Sequence, residues 1–124
     1  MPQISDYELE LMKVIWTAGG TALYAEIAAA LTQKGFCWSK NTVVTLLSRL
    51  TEKGLLTASK VGRKNRYTAQ VSARAYQAEQ AQSFLSKIFE GDAKGLVSTL
   101  IETEQLSPAD YDDLKRYWEQ EAGT

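Results

Sequence analysis

The 124 residues predict a mainly α-helical fold with one small β-hairpin, and three observations carry that expectation. Apolar residues recur at helical spacing over most of the chain. Only residues 56–71 change to a two-residue alternation, with "GRKN" at its centre. Serine and glycine fall where helices of that spacing have to begin and end.

The first helix is announced by "SDYE", a capping box in which Ser5 covers the amide of residue 8 while Glu8 reaches back. Leu9, Met12, Ile15 and Trp16 follow at helical spacing, and Gly19–Gly20 gives the exit. Thr21 is expected to cap a second helix that places Leu23, Ile27 and Leu31 on one face, with Gly35 closing it. After the short extended stretch "FCW", Ser39 caps a third helix whose inward stripe is Val43, Leu46, Leu47 and Leu50, and Gly54 ends it. Its other face holds Asn41, Thr42, Thr45, Ser48, Arg49 and Glu52, an amide, hydroxyl and guanidinium surface suited to base edges.

The alternating segment "LTASKVGRKNRYTAQV" reads as two antiparallel strands joined at a glycine-containing loop, so that Arg63, Lys64 and Arg66 sit at or beside the tip. Three helices and a hairpin with a cationic tip form a winged helix-turn-helix, predicted over residues 1–72. Residues 73–124 return to helical spacing. Tyr76, Phe84, Leu85, Ile88 and Phe89 precede "EGD", and Leu96, Val97, Leu100 and Ile101 follow it. A last helix capped by Ser107 with Pro108 in its first turn carries Tyr111, Leu114, Tyr117 and Trp118. Helices this short are marginal alone. The tail is therefore expected to dimerise through Phe84, Ile88, Phe89, Leu96, Leu100, Leu114 and Trp118.

Composition narrows the function. Histidine is absent and Cys37 is the single cysteine, which removes the commonest general base, an intrachain disulfide and most zinc-ligand sets; no cofactor, no metal and no enzymatic activity are expected. Cys37, between Phe36 and Trp38, reads as a small buried hydrophobe. With no long apolar run and an acidic N-terminus, the chain is expected to be cytoplasmic and without a membrane partner.

A formal net charge of −1 conceals a polar distribution: residues 1–76 hold 10 Lys/Arg and 5 Asp/Glu, residues 77–124 hold 4 and 10. Between residues 34 and 74, nine cations face Glu52 alone. A polyanion-binding surface is the natural reading. The expected contacts are Ser39, Lys40, Asn41, Thr42, Thr45, Ser48 and Arg49 on the third helix and Arg63, Lys64 and Arg66 on the wing. Arg49, further along the helix, suits phosphate better than guanine. Two alternatives stand beside this reading. Charged wing residues also guard an edge strand against aggregation, and a basic wing can dock on an acidic protein surface. Tyr111, Tyr117 and Trp118 could likewise wall a ligand pocket, although helical spacing in a tail favours interface packing.

Four stretches, "ELELMKVIW", "WSKNTVVTLLSRLTEKGLL", "GRKNRYTA" and "FLSKIFEGDAKGLVSTLIE", resemble the penicillinase-repressor family of β-lactam- and copper-responsive bacterial repressors, from Ile4 to about Trp118. The resemblance implies a homodimeric repressor that binds double-stranded DNA at an inverted-repeat operator, with base contacts falling on Asn41, Thr42, Thr45 and Arg49. Asn41 stands where some members carry lysine. The copper-responsive branch has a cysteine-rich tail, and "DDLKRYWEQEAGT" offers no thiol for that route. In the β-lactam branch an Asn-Phe bond of the dimerisation helix is cut. Thr99 and Leu100 take its place here, so cleavage in this region would need a different protease, and the inducing ligand or protease stays open.

Overall fold

A computed structural model describes residues 2–122, which divide between Glu79 and Gln80 into two compact units. The elements of the first unit are α1 (Asp6–Thr17), β1 (Thr21–Leu23), α2 (Tyr24–Gln33), α3 (Lys40–Glu52), β2 (Leu56–Val61) and β3 (Lys64–Ala69). Helix α4 (Ala73–Phe89) begins in it, and α5 (Ala93–Glu102) and α6 (Pro108–Ala122) belong to the second.

The capping box at Ser5 is formed: Glu8 N–H donates to Ser5 Oγ (3.2 Å) and Ser5 N–H to Glu8 Oε1 (3.0 Å). Glu8 does more than cap. Its side chain is buried, and Lys53 Nζ, from the residue that ends α3, donates to both of its carboxylate oxygens at 2.9 Å and to Gln3 O at 3.0 Å. Burial alone would raise the Glu8 pKa. The hydrogen bonds from Lys53 and Ser5, with the Lys53 charge, outweigh it and hold the carboxyl below its ordinary value.

The core lies among α1, α2, α3 and the sheet. Leu11, Met12, Ile15, Ile27, Leu47, Leu50 and Leu56 are fully buried in it, with Leu31, Val43 and Leu46 beside them. The stripe expected for α3 is the one observed. On α1 the inward face is rotated from the expected one: Leu11 and Val14 are buried, whereas Leu9 and Trp16 are half-buried. Trp16 instead closes the unit, its indole N–H donating to Val71 O (2.8 Å) and its ring lying 5.8 Å from that of Tyr76.

Two expectations are corrected. Thr21 caps no helix; it opens β1, which pairs with β3 (Thr21↔Thr68, Ala22↔Tyr67, Leu23↔Arg66), so the hairpin is part of a three-stranded antiparallel sheet of order β1-β3-β2. Its hydroxyl lies 3.1 Å from that of Thr68, and the start of α2 is held by Glu26, whose carboxylate accepts from Leu23 N–H (2.8 Å). Cys37 is exposed. In an extended "FCW", alternate side chains face opposite ways, and burying Phe36 and Trp38 against the core turns Cys37 outward.

The wing is a two-residue hairpin, Gly62–Arg63, between Val61 and Lys64. Gly62 has φ +64° and Arg63 does not share the left-handed conformation, the sign pattern of a II′ turn, which asks for glycine first. Gly54, at φ +79°, ends α3 in the same spirit, passing Leu55 N–H back to Leu50 O (3.0 Å).

In the second unit, Asp92 caps α5 by accepting from Gly95 N–H (2.9 Å). Ser107 caps α6 as expected, its Oγ accepting from Asp110 N–H (3.1 Å), while Asp110 Oδ2 accepts from Ser107 N–H (3.0 Å). Among the described residues from 80 onward, none is buried. No described helix is long and apolar enough to cross a membrane, and the described residues contain no cluster of three metal-binding side chains.

Candidate nucleic-acid interface

Helix α3 presents its polar face because its apolar stripe is committed inward. The helix starts where the chain leaves the half-buried Trp38, with Ser39 Oγ accepting from Thr42 N–H (3.2 Å) and lying 3.0 Å from Thr42 Oγ1. Ser39 and Thr42 thus engage each other. Lys40, Asn41, Thr45, Ser48 and Arg49 are exposed, and Thr42 is half-buried. Val44, outside both the inward stripe and the polar set expected from sequence, is also exposed, at 38%.

The two sides of this face differ. On one, the wing approaches the first turns of α3: Arg63, Lys64 and Asn65 with Lys40, Val44 and Tyr24 line a cleft of about 240 Å³, and Lys40 Nζ lies 5.8 Å over the Tyr24 ring. On the other, Asn41, Thr42, Thr45, Leu46 and Arg49 meet Tyr7 of α1 around a concavity of about 350 Å³. The first side is cationic. Among the described residues lining the second, Arg49 is the single cation.

Register explains the wing. Tyr67 is buried on the core side of β3, so Lys64 and Arg66, at the alternate positions, face away from the core. Arg66 Nε donates to Ser59 Oγ across the hairpin (3.2 Å), whereas among the described residues no ion pair or side-chain hydrogen bond engages Arg63 or Lys64. The charge count needs one adjustment. Lys34 pairs with Glu10 (2.9 Å) and Lys53 with Glu8, so two of the nine cations serve the fold. Lys40, Arg49, Lys60, Arg63, Lys64, Arg66 and Arg74 remain.

The tail residues expected at an interface stand open in the chain. Phe84, Ile88, Leu100, Leu114 and Trp118 are exposed, Ile88 at 63% and Trp118 at 74%, while Phe89 and Leu96 are half-buried. Phe84 and Phe89 have ring centroids 5.8 Å apart. Tyr111 and Tyr117 are exposed too, so the three α6 aromatics form no enclosed pocket within the chain. Thr99 and Leu100 lie inside α5, with Thr99 Oγ1 donating to Gly95 O (2.9 Å).

The profile of the penicillinase repressor family matches residues 4–120. The chain belongs to that family. A penicillinase repressor of Bacillus licheniformis is 36% identical over 120 residues, spanning 97% of this chain and 92% of the relative. The methicillin resistance regulatory protein MecI of Staphylococcus aureus is 28% identical over 113 residues, 91% of this chain and 90% of its own. Among solved structures, the DNA-binding domain of the repressor BlaI superposes with a TM-score of 0.53 at 43% identity, over 60% of this chain and 89% of that one. Monomeric Bacillus licheniformis BlaI in complex with the blaP half-operator gives 0.51 at 43% identity, with the same coverage. The fold of the first unit is therefore a winged helix, and the penicillinase repressor family is one of transcriptional repressors rather than enzymes.

Proposed function

We propose that this chain is a cytoplasmic repressor that binds an inverted-repeat DNA operator as a homodimer, α3 entering the major groove and the wing lying on phosphates. The observation that carries the reading is the exposed polar face of α3, flanked by a wing whose Arg63 and Lys64 are left unpaired by the fold. A relative of the same domain has been solved on half-operator DNA, which supports the same use here.

In this reading Asn41, Thr42, Thr45 and Ser48 face base edges, with threonine methyls against thymine. Ser39, Lys40, Arg49, Arg63, Lys64 and Arg66 hold phosphates and fix register. Phe84, Ile88, Phe89, Leu96, Leu100, Leu114 and Trp118 join two copies, so that the second half-site binds at high effective concentration. A cut at Thr99–Leu100 would release that advantage, and because the bond lies within α5 the helix must unwind before a protease can take it.

Gel shifts with the duplex upstream of its own gene test the reading. Arg63→Ala should weaken operator and random DNA alike and reduce the slope of log K against log salt by about 0.9. Thr45→Ala should cost ~1 kcal/mol on the operator and little on random DNA. Equal losses on both duplexes for Thr45→Ala would show that α3 reads no sequence.

A further inference from the structure

We infer that Tyr7, on the first turn of α1, is a DNA-positioning residue: its hydroxyl donates to a backbone phosphate on the side of α3 opposite the wing. The inference rests on the DNA-binding reading above and adds a contact that the basic residues do not supply.

Tyr7 is 58% exposed, yet its ring is not free to wander. It lies 4.9 Å from Trp38, centroid to centroid, and Trp38 lies 4.7 Å from Phe36, both of the latter packed against the core. The row holds the phenol ring at the rim of the concavity that Asn41, Thr42, Thr45 and Arg49 share. An α-helix seated in the major groove has one sugar–phosphate strand on each side. On the wing side Lys40, Arg63 and Lys64 meet one strand. On the other side Arg49 of α3 is the one cation among the lining residues, and Tyr7 adds a wall from the neighbouring helix α1, one element back from the bases. From that position a side chain meets the groove wall before any base edge.

The chemistry fits a neutral donor. A phenol O–H hydrogen-bonds a phosphate oxygen without adding charge. Of the two carboxylates in the first turn of α1, Glu8 is paired with Lys53, leaving Asp6 to oppose the phosphate. A contact made by hydrogen bond alone differs measurably from one made by a cation, because only the cation displaces a counterion.

That difference gives the test. Binding of the full chain to a random-sequence duplex, which reports phosphate contacts irrespective of operator, is measured by gel shift across a salt series for wild type, Tyr7→Phe and Tyr7→Lys. Tyr7→Phe keeps the ring on Trp38 and removes only the hydroxyl. It should bind about threefold to tenfold more weakly, the scale of one hydrogen bond, with an unchanged salt slope. Tyr7→Lys should steepen the slope by about 0.9 through one new phosphate contact. Wild-type affinity in Tyr7→Phe, or an unchanged slope in Tyr7→Lys, would overturn the inference while leaving the DNA-binding reading intact. A wild-type chain that fails to bind the duplex would overturn both.

Discussion

The two units solve the problem of apolar surface in opposite ways. In residues 2–79, three helices and a sheet close over a core in which seven large side chains are fully buried. In residues 80–122 the apolar stripes are as regular, and not one residue is buried. Amphipathic spacing is thus the same signal in both, but it means a core only where the chain itself supplies the opposing face. Where it does not, the stripe stays exposed in the single chain, and contiguous apolar exposure of this kind is uncommon in monomers, which is what motivates the proposed dimer.

The largest effect expected from this contrast is in the tail. If the proposed dimer forms through these residues, Leu114→Asp combined with Trp118→Asp should raise its dissociation constant on the order of a thousandfold, about 4 kcal/mol, because each aspartate would then be buried at the interface. Sedimentation velocity over a concentration series reads it, and the melting of the first unit should be retained. A full-length wild-type chain that is monomeric at micromolar concentration would erase the contrast altogether.

In the first unit the same logic gives a loss that does not depend on concentration. Leu47 is fully buried, so Leu47→Ala should cost about 2–5 kcal/mol in urea unfolding, the range for a leucine cavity. A midpoint that moved with protein concentration would show that the unit borrows stability from a partner.

The smallest of the three effects sharpens what holds α1 on α3. Lys53→Met leaves Glu8 buried without its cation, and roughly 2–3 kcal/mol should be lost near neutral pH, less than for a fully buried pair because the Lys53 side chain is 30% exposed. The pH dependence fixes the sign. In the wild type the Glu8 pKa is below its ordinary 4.5, so its stabilisation is full above that value and fades as pH falls through the depressed pKa. In Lys53→Met burial dominates and raises the pKa, so protonation relieves the cost and the two proteins converge in acid. Urea midpoints at about pH 7 and about pH 4 check this; a constant gap would mean that Glu8 is not the group responsible.

Much of the first unit was legible because its signals are local. The Ser5 and Ser39 caps, the α3 stripe and the Gly62 turn each depend on residues within a few positions of one another, and each is where the spacing puts it. What escaped depends on distant partners. Strand β1 is three residues long and exists by pairing with Thr68, Tyr67 and Arg66, so "TAL" alone carries no strand signal. Lys34 and Lys53 looked like members of a cationic surface until the fold brought Glu10 and Glu8 to them. Tyr7 lies inside a capping sequence, and only the meeting of α1 with α3 brings it to the rim of the concavity that Thr45 lines. Val44 belongs neither to the apolar stripe of α3 nor to its polar face, so helical spacing assigns it no role.

The placement of the three tryptophans has an optical consequence. Trp16, held by Val71 and against Tyr76, belongs to the closure of the first unit. Trp38 sits between Tyr7 and Phe36 at the edge of the α3 face. Trp118 stands in solvent at 74% exposure on α6. Indole emission shifts to the blue as water is withdrawn from the ring, so each of these residues is an intrinsic chromophore for a different event: folding, the proposed occupation of the α3 face and the proposed covering of the tail. Variants keeping one tryptophan at a time would let the three equilibria be followed separately by fluorescence, with no dye attached.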